Sequence, residues 1–341
     1  MRKENLGKGR GWRFRLAAAG AAAGLVSATL LAGAAGPAAT AASAATKHYT
    51  FLLIPGLTID PFYITMHNGA AVEAAKLGVT LKWAGATVFL DTDQIPVVNS
   101  ELASKPDALL IAPTDSVALF NPIDAYVKAG IPVIAVDTTL KNTSILTAAI
   151  SSDNYQGGKA AADTIAKLHN DKGAVAVINV LKGVSTTDLR QEGFLAEMKK
   201  YPNMQVVATE YDQDSLTTAE SDARSLILAH PNLVGIFGTN LYSAQGAGQG
   251  VIAAGDKGKI SVSGYDAEPA EITLLRKGVI NILVIQNPAE EGALAVQYAY
   301  DAVTGKKSAI VKSTLLPNVV ATQANMNDPS ISKYFYETKL S

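Results

Sequence analysis

Hydrophobic and polar positions alternate regularly along this chain from residue 48 onward. Nine apolar runs of strand length, rich in β-branched residues, begin with YTFLLIP at 49–55 and end with NILVIQ at 281–286. Six segments with helical spacing of apolar positions lie between or after them, including YQGGKAAADTIAKLH and TTAESDARSLILAH. Continuously apolar strands that alternate with helices are typical of parallel sheets covered on both faces.

This alternation predicts an α/β protein built as two doubly wound parallel-sheet lobes, because nine strand–helix steps are too many for one such sheet. A closed eight-stranded barrel is the structural alternative. The segment ISSDNYQGG at 150–158 favours two lobes, since it has the composition of a chain that crosses from one to the other.

The stretch LVGIFGTNLYSAQGAGQGVIAAG at 233–255 raises the question of a dinucleotide site, which requires GxGxxG directly after a strand. Here the strand is predicted to end near Phe237, and Gly246, Gly248 and Gly250 follow eight or more residues later. Val251 also stands in the place of the third glycine. We therefore expect these glycines inside a helix, where they let a neighbouring element pack closely. The sequence predicts no cofactor and no bound metal.

The first 44 residues have the layout of a secretory signal peptide. Six basic residues lie within residues 2–15, an apolar stretch rich in alanine follows, and the small residues ASA at 42–44 provide a processing site. We predict cleavage near Ala44 and export from the cytoplasm. A membrane anchor is the alternative, although alanine and glycine make a weak one and Pro37 interrupts it.

Charge and cysteine content exclude several kinds of partner and chemistry. Without residues 1–44 the chain has 23 basic and 29 acidic side chains, a net charge of −6, so nucleic acid and anionic membrane surfaces are unfavourable partners. The sequence contains no cysteine, which excludes thiol chemistry and a lipid-modified cysteine at the processed N-terminus. We expect an exported protein that is free in the periplasm or outside the cell.

Polar and aromatic residues gather directly after the predicted strands. In doubly wound sheets the carboxyl ends of the strands form the ligand-binding edge. The segments at those ends include GLTIDPFY, DTTL, LKGVSTTDLR, GTN, YDAEP and QNPAEE. Aromatic rings suit the apolar C–H faces of a sugar, while charged and amide groups suit its hydroxyls. The pattern therefore favours a small polyhydroxylated ligand.

At these residues the sequence resembles the type I periplasmic sugar-binding family, the ribose-binding-like branch of the solute receptors of ABC importers. The resemblance covers nearly the whole mature chain, and its carriers include DPFYITMHNGAAVEAAKLGV, SSDNYQGGKAAA, GTNLYSAQGAGQGVIAAG and VIQNPAEEGALAV. It implies two α/β lobes joined by three crossing strands, with the ligand in the cleft and hinge closure around it. We accordingly expect an N-terminal lobe of residues 47–152 plus 287–314 and a C-terminal lobe of residues 153–286 plus 315–341.

The resemblance also implies a ligand site with contributions from both lobes. Its expected members are Asp60, Phe62, Tyr63, Asp137, Thr138, Arg190, Asn240, Asp266 and Gln286. Ser152 is expected where the chain first crosses between lobes, and Tyr211 and Tyr265 as further aromatic wall. Thr138 stands where the ribose binders have a second arginine, and Asp60 replaces their commoner asparagine. These departures move the expectation from ribose towards another uncharged, hydroxyl-rich ligand.

Several of these residues also have purely structural interpretations. Asp60 before Pro61, Asn240 and Asp266 each precede a predicted helix and have the character of N-caps. Arg190 fits an exposed charge at the start of a helix, and the adjacent Phe62 and Tyr63 fit a hydrophobic core.

The predicted function is an exported receptor that binds a monosaccharide or sugar alcohol as a monomer and presents it to the permease of an ABC importer. Presentation to a sensor or chemotaxis system and binding of a furanose-like signal are the alternatives. The chain is predicted not to be an enzyme, since it has no HExxH, no G-x-S-x-G and no P-loop. A glycosidase is the catalytic alternative, because carboxylates follow separate strands. A sugar-responsive repressor would carry a helix-turn-helix where this chain has its export signal.

Overall fold

The computed structural model describes residues 47–341, and the predicted signal peptide lies outside them. The first run of elements is β1 (Thr50–Ile54), α1 (Pro61–Leu77), β2 (Thr80–Trp83), α2 (Asp91–Glu101), β3 (Ala108–Ile111), α3 (Phe120–Lys128), β4 (Val133–Val136) and β5 (Ala148–Ser152). The second run is α4 (Asn154–Leu168), β6 (Gly173–Asn179), α5 (Ser185–Met198), β7 (Met204–Tyr211), α6 (Leu216–Ala229), β8 (Leu233–Gly238), α7 (Leu241–Ala253), β9 (Ser261–Tyr265), α8 (Pro269–Arg276) and β10 (Ile280–Ile285). The last elements are α9 (Pro288–Val303), β11 (Ser313–Leu316), β12 (Val319–Thr322) and α10 (Pro329–Ser332).

The strands form two six-stranded sheets, one in each lobe. The first has the order β2-β1-β3-β4-β5-β11 and is parallel throughout. The second has the matching order β7-β6-β8-β9-β10-β12 and is parallel except for β12, which runs antiparallel to β10. Helices cover both sheets, and the strands at their centres are fully buried. The prediction of two doubly wound lobes is confirmed.

Five elements escaped the sequence pattern, among them the four-residue helix α10, which is too short to show a helical period. Strand β5 ends in two serines, and β11 and β12 are short edge strands that are only partly buried, so none of them is a continuous apolar run. Helix α2 is mostly polar and contains Pro96, which obscures its helical period.

The chain crosses between the lobes three times, at 152–154, 285–288 and 316–319. The backbone N–H of Asp153 donates to the Leu316 carbonyl at 2.8 Å, and the Asn318 amide donates to the Asp153 carbonyl at 2.8 Å. These bonds tie the first and third crossings into one hinge. The expected boundary between residues 314 and 315 falls inside β11, because Leu315 and Leu316 pair with β5 in the first lobe.

The glycine-rich stretch forms helix α7, which packs tightly against α6. A Cβ atom on Gly246 would lie 2.3 Å from the Ala219 Cβ and 2.7 Å from the Leu216 carbonyl oxygen. A Cβ atom on Gly250 would lie 2.6 Å from the Ala223 Cβ. The glycines therefore permit close packing of two helices, as the sequence predicts. Within residues 47–341 no helix is both long and apolar enough to span a membrane.

The two glycines 246 and 248 provide a matched test of this packing. Gly246→Ala is expected to lower the free energy of unfolding by about 1–3 kcal/mol, because the new methyl group meets the rigid backbone of α6. Gly248→Ala on the same helix meets only side-chain atoms, the nearest at 3.2 Å, and gains helix propensity of up to about 1 kcal/mol. We expect it to be nearly neutral in denaturant unfolding. Equal losses in both variants would contradict the packing role of Gly246.

Candidate functional site

The carboxyl ends of the two sheets face each other across a cleft. Fifteen residues from both lobes line a small cavity there, at the strand ends where doubly wound folds bind their ligands. The lobes touch at the cleft edge, where the Thr139 N–H donates to the Ser185 hydroxyl at 2.8 Å and the Ser116 N–H donates to the Gly183 carbonyl at 3.2 Å. The arrangement is therefore a closed one.

Eight of the nine residues expected in the site line this one cavity. They are Asp60, Phe62, Tyr63, Asp137, Arg190, Asn240, Asp266 and Gln286. Thr138 does not line it, although its side chain is buried and its hydroxyl has no protein partner. Its neighbour Asp137 instead takes the left-handed turn that faces the cleft.

The start of helix α1 supplies an acid and two aromatic rings. Asp60 caps the helix, because its carboxylate accepts the Phe62 N–H at 2.7 Å, and Pro61 occupies the first turn. The same carboxylate faces the cavity, so the capping and site interpretations of Asp60 hold together. The Phe62 and Tyr63 rings meet edge to face at 5.1 Å, and both line the cavity. The Tyr63 hydroxyl donates to the Asp137 carboxylate at 2.7 Å.

Two aspartates occupy equivalent positions in the two lobes. Asp137 follows β4 and Asp266 follows β9, and each donates its N–H at 2.9 Å to the next strand of its sheet, at Ile150 and Val284 respectively. Both lie in the left-handed region, with φ of 66° and 83°. Such a conformation costs on the order of 1–3 kcal/mol and is characteristic of functional sites. Aspartate tolerates it better than most residues, and here it aims each carboxylate into the cleft.

Arg190 on α5 is buried, with 3% of its surface exposed, and is therefore not the solvated charge of the structural alternative. Its Nε donates to the side-chain amide oxygen of Asn154 at 2.7 Å, and one terminal nitrogen donates to the backbone carbonyl of Thr239 at 2.8 Å. The guanidinium lies 3.7 Å from the centre of the Tyr265 ring and 4.0 Å from the Asp266 carboxylate. It is held in one orientation at the cavity wall.

None of the three additional residues considered from sequence lines the cavity, and one of them, Tyr265, supports it from behind. Tyr265 lies under Arg190 rather than in the cavity lining, and Tyr211 lies under Lys182. Ser152 lies at the first crossing and donates to the buried Glu291 carboxylate at 2.7 Å.

Asp214 is a cavity residue that the sequence analysis missed. It lies just after β7, in the segment YDQDS at 211–215. This segment is as rich in polar residues as the strand ends named above, but it was not among them. The Asn240 amide donates to its carboxylate at 2.7 Å, while the Asn240 carbonyl oxygen caps α7 through the Ser243 N–H at 2.9 Å. The remaining lining residues are Val184, Thr186 and Thr187 of the strand-end segment LKGVSTTDLR, together with Phe89, Val180 and Leu241.

Asp266 is the most heavily hydrogen-bonded acid of the cavity. Gln286 donates to it at 2.6 Å, the Tyr336 hydroxyl at 3.0 Å and the Leu241 N–H at 3.2 Å. The helix that follows is capped instead by Glu268, which forms a capping box with Glu271. The amide nitrogen of Gln286 makes the bond to Asp266, while its side-chain oxygen is buried without a protein partner.

Burial and mutual repulsion raise the pKa values of the cavity acids. Burial is the largest cause for Asp137, where the nearby charge of Arg190 opposes it, and the pKa rises to about 6. Burial, reinforced by the charge of Asp266, also raises the pKa of Asp214 to about 6. Burial and the charge of Asp214 across the cleft raise the pKa of Asp60 well above its usual value. Among the described residues that line the cleft, Arg190 is the one cation that balances these acids.

Together the fold and this cleft define a two-lobed receptor that encloses a small polar ligand. The model of the periplasmic binding protein domain matches residues 51–307. The chain is 32% identical over 287 residues to the ribose import binding protein of Salmonella typhimurium, covering 82% of this chain and 93% of that relative. It is 28% identical to the D-allose-binding periplasmic protein of Escherichia coli, covering 77% and 89% of the two chains.

Solved structures agree with these relatives. An ABC transporter solute-binding protein from Agrobacterium vitis, bound with α-D-tagatopyranose, superposes with a TM-score of 0.83 at 38% identity and covers 85% of this chain and 99% of its own. A solute-binding protein from Agrobacterium radiobacter in complex with D-arabinose has a TM-score of 0.81 at 30% identity, with coverage of 85% and 100%. The chain therefore belongs to the periplasmic binding protein family. It is a solute receptor of the ABC importer type rather than an enzyme, and the family implies export to the periplasm.

The raised pKa values predict how stability depends on pH. The buried Asp212 has its pKa raised by burial to about 7, against 3.8 for an ordinary aspartate. Because the folded state retains this proton to higher pH than the unfolded state, the free energy of unfolding should fall as pH rises from about 4 to about 7. Asp212→Asn keeps both of its contacts, with the Asp214 N–H and the Ser243 hydroxyl. We expect it to reduce this slope in denaturant unfolding of the ligand-free protein.

The exposed Asp171 on the same lobe supplies the control. Asp171→Asn should leave the slope between about pH 4 and pH 7 as it is in the unchanged protein. A slope that is equally steep in Asp212→Asn and in the control would rule out the buried acid as its source.

Proposed function

We propose that this protein captures a neutral monosaccharide or sugar alcohol in the interlobe cleft and delivers it to the permease of an ABC importer. Asp60, Phe62, Tyr63 and Asp137 hold the ligand from the first lobe. Arg190, Asn240, Asp214, Asp266 and Gln286 hold it from the second.

The main support for this ligand class is the composition of the cavity wall. Two aromatic rings at the start of α1 offer faces for sugar C–H groups, and four carboxylates offer acceptors for hydroxyl donors. Relatives with the same fold bind such molecules, namely ribose, D-allose, α-D-tagatopyranose and D-arabinose. The differences among these ligands show that the family fold accommodates several sugars, so the choice among them rests on the wall residues.

The charge of the wall narrows the ligand class. Asp60, Asp137, Asp214 and Asp266 surround one guanidinium, so an added carboxylate or phosphate would face acids at short range between the two lobes. Like charges in such an environment repel strongly. We propose that the receptor discriminates against uronates and sugar phosphates.

The protein acts as a monomer that is released after signal cleavage near Ala44. It carries no lipid anchor on cysteine, since the sequence has none. Ligand presentation to a sensor is the second candidate role, because the same closure produces a recognisable closed form for either partner.

Thermal unfolding against a ligand panel tests the ligand class. A sugar that binds only the folded protein stabilises it by about 2.7 kcal/mol at a hundred-fold excess over Kd, which raises Tm by several degrees. We expect such a rise for one or a few neutral pentoses, hexoses, ketoses or polyols, including D-ribose, D-allose, D-tagatose, D-arabinose and myo-inositol. D-Glucuronate and ribose 5-phosphate should give none. A flat response to every neutral sugar would refute the proposed ligand class, and a rise with the anions would refute the charge selection.

The role of Asp137 is tested by Asp137→Asn, since asparagine also accepts the left-handed backbone of this position. Loss of a hydrogen bond to a charged acceptor costs about 1.5–3 kcal/mol, so the affinity for a sugar found in the panel should fall about ten-fold or more. Titration calorimetry measures the change. Asp171→Asn is the matched control, because Asp171 has a similar φ of 58° outside the cleft and should bind like the unchanged protein. Unaltered affinity in Asp137→Asn would remove Asp137 from the site.

A further inference from the structure

A fourth connection between the lobes is formed by residues 336–341, here called the strap. These residues follow β12 and α10, which belong to the second lobe, and the Tyr336 N–H donates to the Ala267 carbonyl of that lobe at 3.1 Å. The strap then continues onto helix α1 of the first lobe. Unlike the three crossings of the hinge, this connection between lobes consists only of non-covalent contacts.

Tyr336 contacts both lobes at the cleft wall. Its hydroxyl donates to the Asp266 carboxylate of the second lobe at 3.0 Å. Its ring meets the Phe62 ring of the first lobe edge to face at 5.7 Å, and 5% of the residue is exposed. A rotation of the lobes that moves Asp266 away from α1 must therefore break one of these two contacts.

The rest of the strap is bonded to one face of α1. The Glu337 N–H donates to the Thr65 hydroxyl at 2.7 Å. Asn68 donates its amide to the Glu337 carboxylate and to the Lys339 carbonyl, the latter at 2.8 Å, and accepts the Ser341 N–H at 2.8 Å. Asn68 is 7% exposed, so its amide is buried, while the strap residues that it bonds lie at the surface. An amide that is buried and bonded chiefly to the strap has little other structural task in α1.

The position of the strap relates it to the hinge. Gly69, next to Asn68, packs against the backbone of Ala289, which lies just past the second crossing. The strap is thus anchored beside the point about which the lobes turn, and it begins at the cleft wall. The restraint on rotation therefore comes from Tyr336, whose contacts to Asp266 and Phe62 join the two lobes at that wall.

We propose that the strap is a latch that stabilises the closed arrangement of the lobes and releases α1 when they open. Its contribution to ligand affinity rests on the function proposed above, whereas its effect on lobe closure does not. The bonds to Thr65 and Asn68, together with the two contacts of Tyr336, exist only while both lobes meet the strap. Removing them should shift the ligand-free protein towards open forms.

The absence of cysteine from the sequence makes a direct distance measurement possible. Val117→Cys on the first lobe and Leu228→Cys on the second are both well exposed, at 63% and 85%, and accept a donor and an acceptor dye. Single-molecule energy transfer then reports the interlobe distance without any ligand. We compare the labelled protein with versions carrying Asn68→Ala or a deletion of residues 337–341.

Both changes are expected to move molecules from the short-distance to the long-distance population. Val72→Ala is the control, because Val72 lies on the same helix, is 68% exposed and has a side chain that cannot hydrogen-bond to the strap. It should leave the distribution unchanged. If the protein without residues 337–341 does not fold, the distance distribution of Asn68→Ala is sufficient to test the latch. Distributions identical to that of the control would overturn the latch, and they would leave the ligand proposal untouched because no ligand is present.

Discussion

The position of one cation, Arg190, governs much of the second lobe and of the cleft. A buried guanidinium is tolerable only when its donors and its charge are matched, and here Asn154, Thr239, Tyr265 and Asp266 supply the match. Burial alone would lower the pKa of Arg190, but the surrounding hydroxyls and acids outweigh it and raise the pKa. The same residue fixes helix packing, because a Cβ atom on Gly158 of α4 would lie 1.9 Å from the Arg190 carbonyl oxygen. The charge of the site and the packing of α4 against α5 are thus parts of one constraint.

The two lobes solve the same geometric problem in the same way. In each, the strand equivalent to β4 ends in an aspartate whose left-handed backbone turns the carboxylate towards the other lobe. The strain is sustained because the N–H of each aspartate completes a bond to the neighbouring strand. Helix pairs in both lobes also approach through glycines, as at Gly69 with Gly292 and at Gly158 with Gly193. A repeated architecture therefore brings two equivalent acids to opposite walls of one cleft.

The apolar pattern predicted the lobes well because central parallel strands are buried on both faces and leave a continuous signal. It failed at β11 and β12, where edge strands lose that signal, and at α2, where a proline interrupts the period. Polar residues directly after the predicted strands identified most of the cleft wall, because the topology of a parallel sheet brings the carboxyl ends of its strands to one edge. Asp214 could have been found by the same rule. Tyr336 could not have been found in this way, because it does not directly follow a strand. Its contact with Asp266 arises only from the tertiary packing of the C-terminal segment.

Closure of this cleft brings acids together, and this sets the conditions under which a ligand can favour it. Asp60 and Asp137 come from one lobe, Asp214 and Asp266 from the other, so the open form keeps these carboxylates apart and hydrated. In the closed form burial, together with repulsion between these charges, raises the pKa values of Asp60, Asp137 and Asp214. A ligand shifts the equilibrium only through contacts that it makes better in the closed form. Hydroxyl donors placed between the two walls meet this requirement, because each satisfies an acceptor that closure has stripped of water. A ligand with few donors would leave the repulsion in place, however well its size suited the cavity.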